Sequence, residues 1–312
     1  MRVTFWARLP FAAQVIEERL RAVDGAEVTV VRSLPDLLAA LPGTRFLVLI
    51  DAPVEQARAV TERLAAPGNT VGALHFNSAG REGFEAAGIP GGIVVTNAEG
   101  ALAPSVAEHA MALALALGRR LPDALAAQGR MEWNQGIAAG MRSLEGGTLL
   151  LVGLGHIGRA VAARARAFGM KVIAATRRPR ADPLAEEVHG LAAVPDLAAR
   201  ADLIVTCIAL SPETRGIIGR AALADCRPGT LLVNVGRGGL VDTDALIEAL
   251  ATGRVAGAGL DVTDPEPLPP GHPLWRAPNL IVTSHVAGAG RRGEERIAEA
   301  AVESLRRFMA GL

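Results

Sequence analysis

Cysteine is nearly missing from this chain of 312 residues, with only Cys207 and Cys226 present. Two such irregularly placed thiols exclude a disulfide framework and a cysteine metal site, and no metal is expected. Cys207 ends an apolar run and reads as a small core residue. Net charge is missing too, because 32 basic and 32 acidic residues cancel. The charges are interspersed, which argues against a nucleic-acid groove or a polybasic membrane patch. Lysine is reduced to Lys171 beside many arginines, a bias read as the codon preference of a GC-rich genome. Long apolar runs are also absent. The longest, Ala110 to Leu117, lies between His109 and Arg119 and falls well short of the roughly 20 residues that cross a bilayer. Arg8 and Pro10 interrupt the first apolar stretch, so no signal peptide is expected and the expected location is cytoplasmic.

Half of the residues are hydrophobic, enough to bury two cores at this length. Val3 to Trp6, Val28 to Val31, Phe46 to Ile50, Val71 to Phe76 and Ile93 to Val95 read as strands. Ala13 to Val23, Leu34 to Leu41 and Val54 to Leu64 show helical spacing between them. Strands separated by single helices imply a parallel sheet with helices on both faces. Pro104-Ser105 then starts a helix to about Leu117 that is apolar on every side. Such a helix must be buried on every side, between domains or against a second subunit, and a homodimer contact is favoured. Gln128 to Met141 reads as a less regular connection.

A second alternation begins at Thr148. Strands are expected at Leu149 to Val152, Lys171 to Ala175, Leu203 to Cys207, Thr230 to Asn234, Val255 to Leu260 and Leu280 to Thr283. Helices fit Ile157 to Phe168, Leu191 to Ala199 and Asp242 to Ala251. The amphipathic stretch Glu294 to Met309 has no strand after it and is expected to pack back onto the first domain. The expected fold is α/β with two doubly wound domains. A Rossmann-type cofactor domain, 102–288, is inserted in a discontinuous flavodoxin-like domain, 1–101 with 289–312.

The first strand of the second half runs into Gly153-Leu-Gly155-His-Ile-Gly158, and an Ala/Arg-rich helical stretch follows at once. This strand–turn–helix setting is what a dinucleotide fingerprint requires. Gly153 allows the tight turn, Gly155 removes a side chain that would block a pyrophosphate, and Gly158 lets helix and strand pack closely. The alternative is a purely structural glycine turn.

Three polar positions follow later strands. Arg237 stands past Leu232-Val-Asn-Val-Gly, Asp261 and Glu266 lie in Leu260-Asp-Val-Thr-Asp-Pro-Glu-Pro, and His285 lies in Val282-Thr-Ser-His-Val-Ala-Gly288. Ligands of such sheets bind at the carboxyl ends of the strands. An arginine, a glutamate and a histidine there supply an anion clamp, a charge partner and a proton carrier.

The glycine turn, Asn234-Val-Gly-Arg-Gly-Gly-Leu-Val-Asp242, Asp261-Val-x-Asp-Pro-Glu-Pro267, His272-Pro-Leu-Trp275 and Ser284-His-Val-Ala-Gly288 together resemble the D-isomer-specific 2-hydroxyacid dehydrogenases. The glyoxylate and hydroxypyruvate reductases are among them. Val106-Ala-Glu-His109 resembles the start of that family's interdomain helix. The resemblance implies a substrate domain, a cofactor domain and a dimer. It implies that Arg237 grips the substrate carboxylate and polarises the 2-oxo oxygen. His285 is then the general acid/base, and Glu266 the carboxylate that holds its ring. Asp261 would hold the nicotinamide carboxamide, against a turn-capping alternative. Gly153, Gly155, His156, Ile157, Gly158, Cys207, Val235, His285 and Gly288 complete the implied cofactor contacts. No catalytic role is expected for His75, His109 or His189, and His272 and Trp275 read as packing residues.

Choice of cofactor is expected about 20 residues after the glycine turn. Thr176 stands where the family's NAD-using members carry Asp, and Arg177 and Arg178 follow. A hydroxyl and two cations suit a 2′-phosphate, so NADP(H) is expected, with NAD(H) the alternative. The substrate carboxylate is expected at backbone N–H groups of Ser78, Ala79 and Gly80, in a loop whose wording departs from the family's. Ala209 and Gly290 also depart, standing where proline and threonine are usual. The leading expectation is an NADP-dependent reductase of small 2-oxo acids such as glyoxylate or hydroxypyruvate. The alternatives are a family member acting on another donor and a nucleotide-sensing binding protein.

Overall fold

Short, mostly apolar runs alternating with helices form two separate parallel sheets. The computed structural model describes residues 1–78 and 80–312. The chain divides into two compact units, Met1–Leu102 with Ala289–Leu312, and Ala103–Gly288.

The first unit runs β1 (Arg2–Trp6), α1 (Ala13–Arg21), β2 (Glu27–Val31), α2 (Leu34–Ala40), β3 (Phe46–Leu49), α3 (Val54–Ala65), β4 (Ala73–Phe76), α4 (Glu82–Ala87) and β5 (Val94–Asn97). Its sheet has the order β2-β1-β3-β4-β5, with all pairs parallel, which is the flavodoxin-like winding. All four residues of β3 and of β4 are buried. Helices cover both faces of these strands, so β3 is a continuous apolar run, and β4 is apolar except for the buried His75. The short α4 was not expected from the sequence, since six residues carry no repeating apolar face.

His75 in β4 is 1% exposed. Its Nδ1 lies 2.9 Å from Thr96 Oγ1, and its Nε2 has no partner among the described residues. Burial lowers its pKa from 6.5 to about 4. The unfolded chain therefore binds the extra proton first, and stability rises with pH across that window. Between pH 7 and pH 4 this residue should cost about 3 kcal/mol of unfolding free energy. Denaturant titrations of the parent and His75→Gln check this. The variant should lose that share of the slope, and parallel curves would show that His75 is not held neutral.

The second unit runs α5 (Ala103–Gly118), α6 (Leu121–Gly129), β6 (Thr148–Val152), α7 (His156–Ala167), β7 (Lys171–Thr176), β8 (Glu187–Gly190), α8 (Val194–Ala198), β9 (Leu203–Thr206), α9 (Arg220–Asp225), β10 (Thr230–Asn234), α10 (Thr243–Ala251), β11 (Val255–Leu260) and β12 (Leu280–Val282). The sheet order is β12-β11-β10-β9-β6-β7-β8. Seven strands replace the six expected. The extra strand, β8, is a half-buried edge carrying a single valine, too little to mark a strand. Similarly, α6 and α9 are short and alanine-rich. The helix expected over Leu191 to Ala199 is a 3₁₀ turn, Leu191–Ala193, followed by α8, with Pro195 in its first turn.

The long apolar helix α5 is covered within its own unit by α7, β10 and β11. Gly257 and Gly259 of β11 make room for it: a Cβ at Gly259 would lie 2.9 Å from Leu113 Cβ. Its all-round apolarity therefore does not by itself require a second subunit. The exposed large apolar side chains of this region belong instead to Leu121, Leu125, Met131 and Trp133. The last helix, α11 (Arg291–Met309), belongs to the first unit. It buries Ile297, Ala298, Ala301, Val302 and Leu305 in a core with Val3, Phe5, Ile16 and Leu20. No helix among the described residues is long and apolar enough to cross a membrane.

Candidate functional site

Parallel register brings five strand ends of the second unit level. Val152 pairs with Thr206, Thr206 with Asn234, Asn234 with Leu260, and Leu260 with Val282. The loops that follow β10, β11 and β12 thus leave adjacent strands at one edge. They carry Arg237, Glu266 and His285 respectively.

His285 and Glu266 meet directly: Nδ1 lies 2.6 Å from Oε1. A carboxylate only accepts, so Nδ1 carries the proton of this hydrogen bond and Nε2 is left for other partners. Arg237 donates from Nη1 to Gly236 O at 2.8 Å. Its turn is built by Asn234, whose role local reading did not reveal. Asn234 Oδ1 accepts from Thr206 Oγ1 (2.7 Å) and Gly236 N (3.0 Å), and its Nδ2 donates to Arg237 O (2.9 Å). Beside Arg237, a Cβ on Gly238 would fall 2.0 Å from Thr263 C and O. The glycine lets the arginine loop lie against the chain leading to Glu266.

Asp261 is 2% exposed. Its Oδ1 accepts from Thr283 Oγ1 (2.5 Å) and Val286 N (2.9 Å), and its Oδ2 accepts from Ala287 N (2.9 Å). These bonds describe the turn-capping alternative left open from the sequence, and Oδ2 retains a second lone pair. Val235 is buried in the turn, with its N–H on Thr206 O at 3.1 Å. Gly288 ends the unit.

At the other end of the row, β6 is flanked by β9 and β7, the point where strand order reverses and ligands of such sheets bind. Gly153 (φ 107°) could carry no Cβ, which would lie 2.9 Å from Ile208 N, and a Cβ on Gly158 would lie 2.1 Å from Gly153 O. A Cβ on Gly155 would meet no atom within 4 Å, so no contact within the chain requires a glycine there. A side chain at that position would enter the groove. His156 and Ile157 open α7.

Gly153, Gly155, Thr176, Arg177, Arg178 and Cys207 line this groove of about 570 Å³, together with Arg159, Arg180 and Asp182. Four arginines against one aspartate favour an anion. Asp182 is paired with Arg159, and Arg177 lies 3.7 Å from Glu213. Thr176 Oγ1 is buried with no partner among the described residues, an orphan that a bound ribose or phosphate oxygen would satisfy. A glycine turn, a buried orphan hydroxyl and a cluster of arginines fit an anionic nucleotide. Cys207, half-buried, donates from Sγ to Gly153 O at 3.2 Å, and desolvation pushes its thiol up to about 12, which disfavours a nucleophilic thiolate. Local reading missed Arg159 and Arg180, which only the fold brings to this groove.

In the first unit the expected substrate loop follows β4. Ser78 Oγ donates to Gly80 O at 2.7 Å and accepts from Asp51 N at 3.3 Å. Asp51 also accepts from Gly83 N and Phe84 N, anchoring the loop to the residues after β3. Ala79 lies outside the described residues. Among the described residues, no group of three or more His, Cys, Asp or Glu could hold a metal ion.

Residues 111–287 match the family described as D-isomer specific 2-hydroxyacid dehydrogenase, NAD binding domain. A D-3-phosphoglycerate dehydrogenase of Mycobacterium leprae is 35% identical over 310 residues, 98% of this chain and 56% of that protein. A glyoxylate reductase of Aeropyrum pernix is 37% identical over 227 residues, 70% of this chain and 68% of that protein. The TT0316 protein from Thermus thermophilus has 39% identity and a TM-score of 0.81, covering 100% of this chain and 97% of that one. The chain spans about half the length of the D-3-phosphoglycerate dehydrogenases it matches. The protein belongs to the D-isomer specific 2-hydroxyacid dehydrogenase family.

Proposed function

We propose that this chain is an NADP(H)-dependent D-2-hydroxyacid dehydrogenase that reduces small 2-oxo acids of the glyoxylate and hydroxypyruvate kind. The observation that carries this reading is the 2.6 Å contact of His285 with Glu266 at the strand edge shared with Arg237. In this reading the second unit is the cofactor domain and the first the substrate domain, with Ser78 to Gly80 receiving the substrate carboxylate. The dinucleotide, when bound, supplies the hydride.

Arg237 binds the carboxylate through its guanidinium fork and polarises the 2-oxo oxygen as negative charge gathers there. His285 gives a proton from Nε2 to that oxygen, while Glu266 accepts from Nδ1–H and fixes the ring. In the reverse direction Nε2 takes the hydroxyl proton. Two chains pair in this reading, which the particle mass in solution measures.

A panel of 2-oxo acids assayed with NADPH and NADH tests the proposal. Thr176 Oγ1 and the neighbouring arginines should favour NADPH in kcat/KM by at least about tenfold, one charge-assisted contact's worth. Equal or better use of NADH would overturn the cofactor assignment. NADPH binding without reduction of any acid would overturn the enzymatic reading and favour a nucleotide-sensing protein.

A further inference from the structure

His285 adopts φ 55°, left-handed backbone that a residue with a side chain seldom holds without support. The support is Asp261, the residue that follows β11. Its carbonyl accepts from His285 N at 2.7 Å, and its carboxylate accepts from the next two amides, Val286 and Ala287. That carboxylate is itself held from behind. Thr283 Oγ1 donates to Asp261 Oδ1, and His109 Nε2 lies 2.9 Å from the same hydroxyl and 3.5 Å from the carboxylate oxygen. A hydroxyl has one proton to give. With that proton committed to Asp261, Thr283 accepts from His109, which fixes the proton of His109 on Nε2.

We infer that His109 and Thr283 are positioning residues for His285, acting through Asp261. The chain runs from α5 to the turn after β12 within one unit. Loss of either link frees the Asp261 carboxylate to rotate, and the two amides that shape the turn lose their acceptor. The imidazole then departs from the position that proton transfer needs, and displacements on the order of 1 Å cost roughly a hundredfold in rate. The inference rests on the reading of His285 as acid/base, but its geometric half stands apart from it.

Two independent pairs of variants test it. Thr283→Val and His109→Leu should each lower kcat at least about tenfold. Thr283→Ser and His109→Gln, which keep the hydroxyl and an Nε2 donor, should restore most of it. The double variant Thr283→Val/His109→Leu should be no slower than the worse single variant, because both break one chain. Hydrogen exchange of the peptide spanning residues 284–288 provides a readout free of catalysis: its amides should lose protection in Thr283→Val and regain it in Thr283→Ser. If the parent enzyme reduces no 2-oxo acid while exchange responds in this way, the functional reading fails and the positioning chain holds. Unchanged exchange and kcat within twofold in both Thr283→Val and His109→Leu would overturn the inference, as would losses that multiply in the double variant.

Discussion

Replacing His285 with alanine should lower kcat by at least about a thousandfold, while the Kd for NADPH stays within about twofold. The separation follows from where the groups lie. The groove that fits the dinucleotide is lined by residues of the glycine turn and the end of β7. His285 sits at the far end of the strand row, after β12, and meets Glu266. Deleting the imidazole removes the group proposed to protonate the forming alkoxide and leaves the groove intact. Steady-state assays with the best acid of the panel, beside fluorescence titration with NADPH, measure both halves. A variant that kept a tenth of the parent rate would exclude His285 as the proton donor.

Arg237→Lys should lower kcat/KM for the 2-oxo acid by about a hundredfold or more, although the charge is kept. An ammonium cannot offer two parallel N–H groups to a carboxylate, nor reach the carbonyl oxygen while doing so. The backbone of this turn is held by Asn234, so the substitution exchanges the head group without rebuilding the loop. KM for the acid should rise while KM for NADPH does not. Equal efficiency of lysine and arginine would mean that position 237 contributes only diffuse charge.

The two sheets were legible because most interior strands are short, largely apolar runs between helical patterns. The glycine turn was legible because its three positions stand in one local run. What escaped was of two kinds. Elements of low apolar content, such as β8 with its single valine and α9 with its alanines, give no periodic signal. Contacts closed only by the fold were also hidden. Thr283 reaches His109 across 174 positions of chain, and Asp51 reaches the amides of Gly83 and Phe84 from a different strand end. Asp261 belongs to the second kind, because the three hydrogen bonds that its buried carboxylate accepts come from residues 22 to 26 positions away. His109, for which no catalytic role is expected from the sequence, is linked to the turn after β12 only through its fold contact with Thr283.

The absence of a side chain at Gly238, where the loop from β10 passes the chain after β11, has a consequence for variation. Guanidinium and carboxylate ride on two segments locked edge to edge, so neither can be retuned alone. Any bulk introduced at that crossing would part the proposed anion clamp, Arg237, from Glu266, the carboxylate bonded to the imidazole. Attempts to widen the range of acids accepted therefore have their freedom elsewhere, and this seam is the part of the molecule to leave untouched.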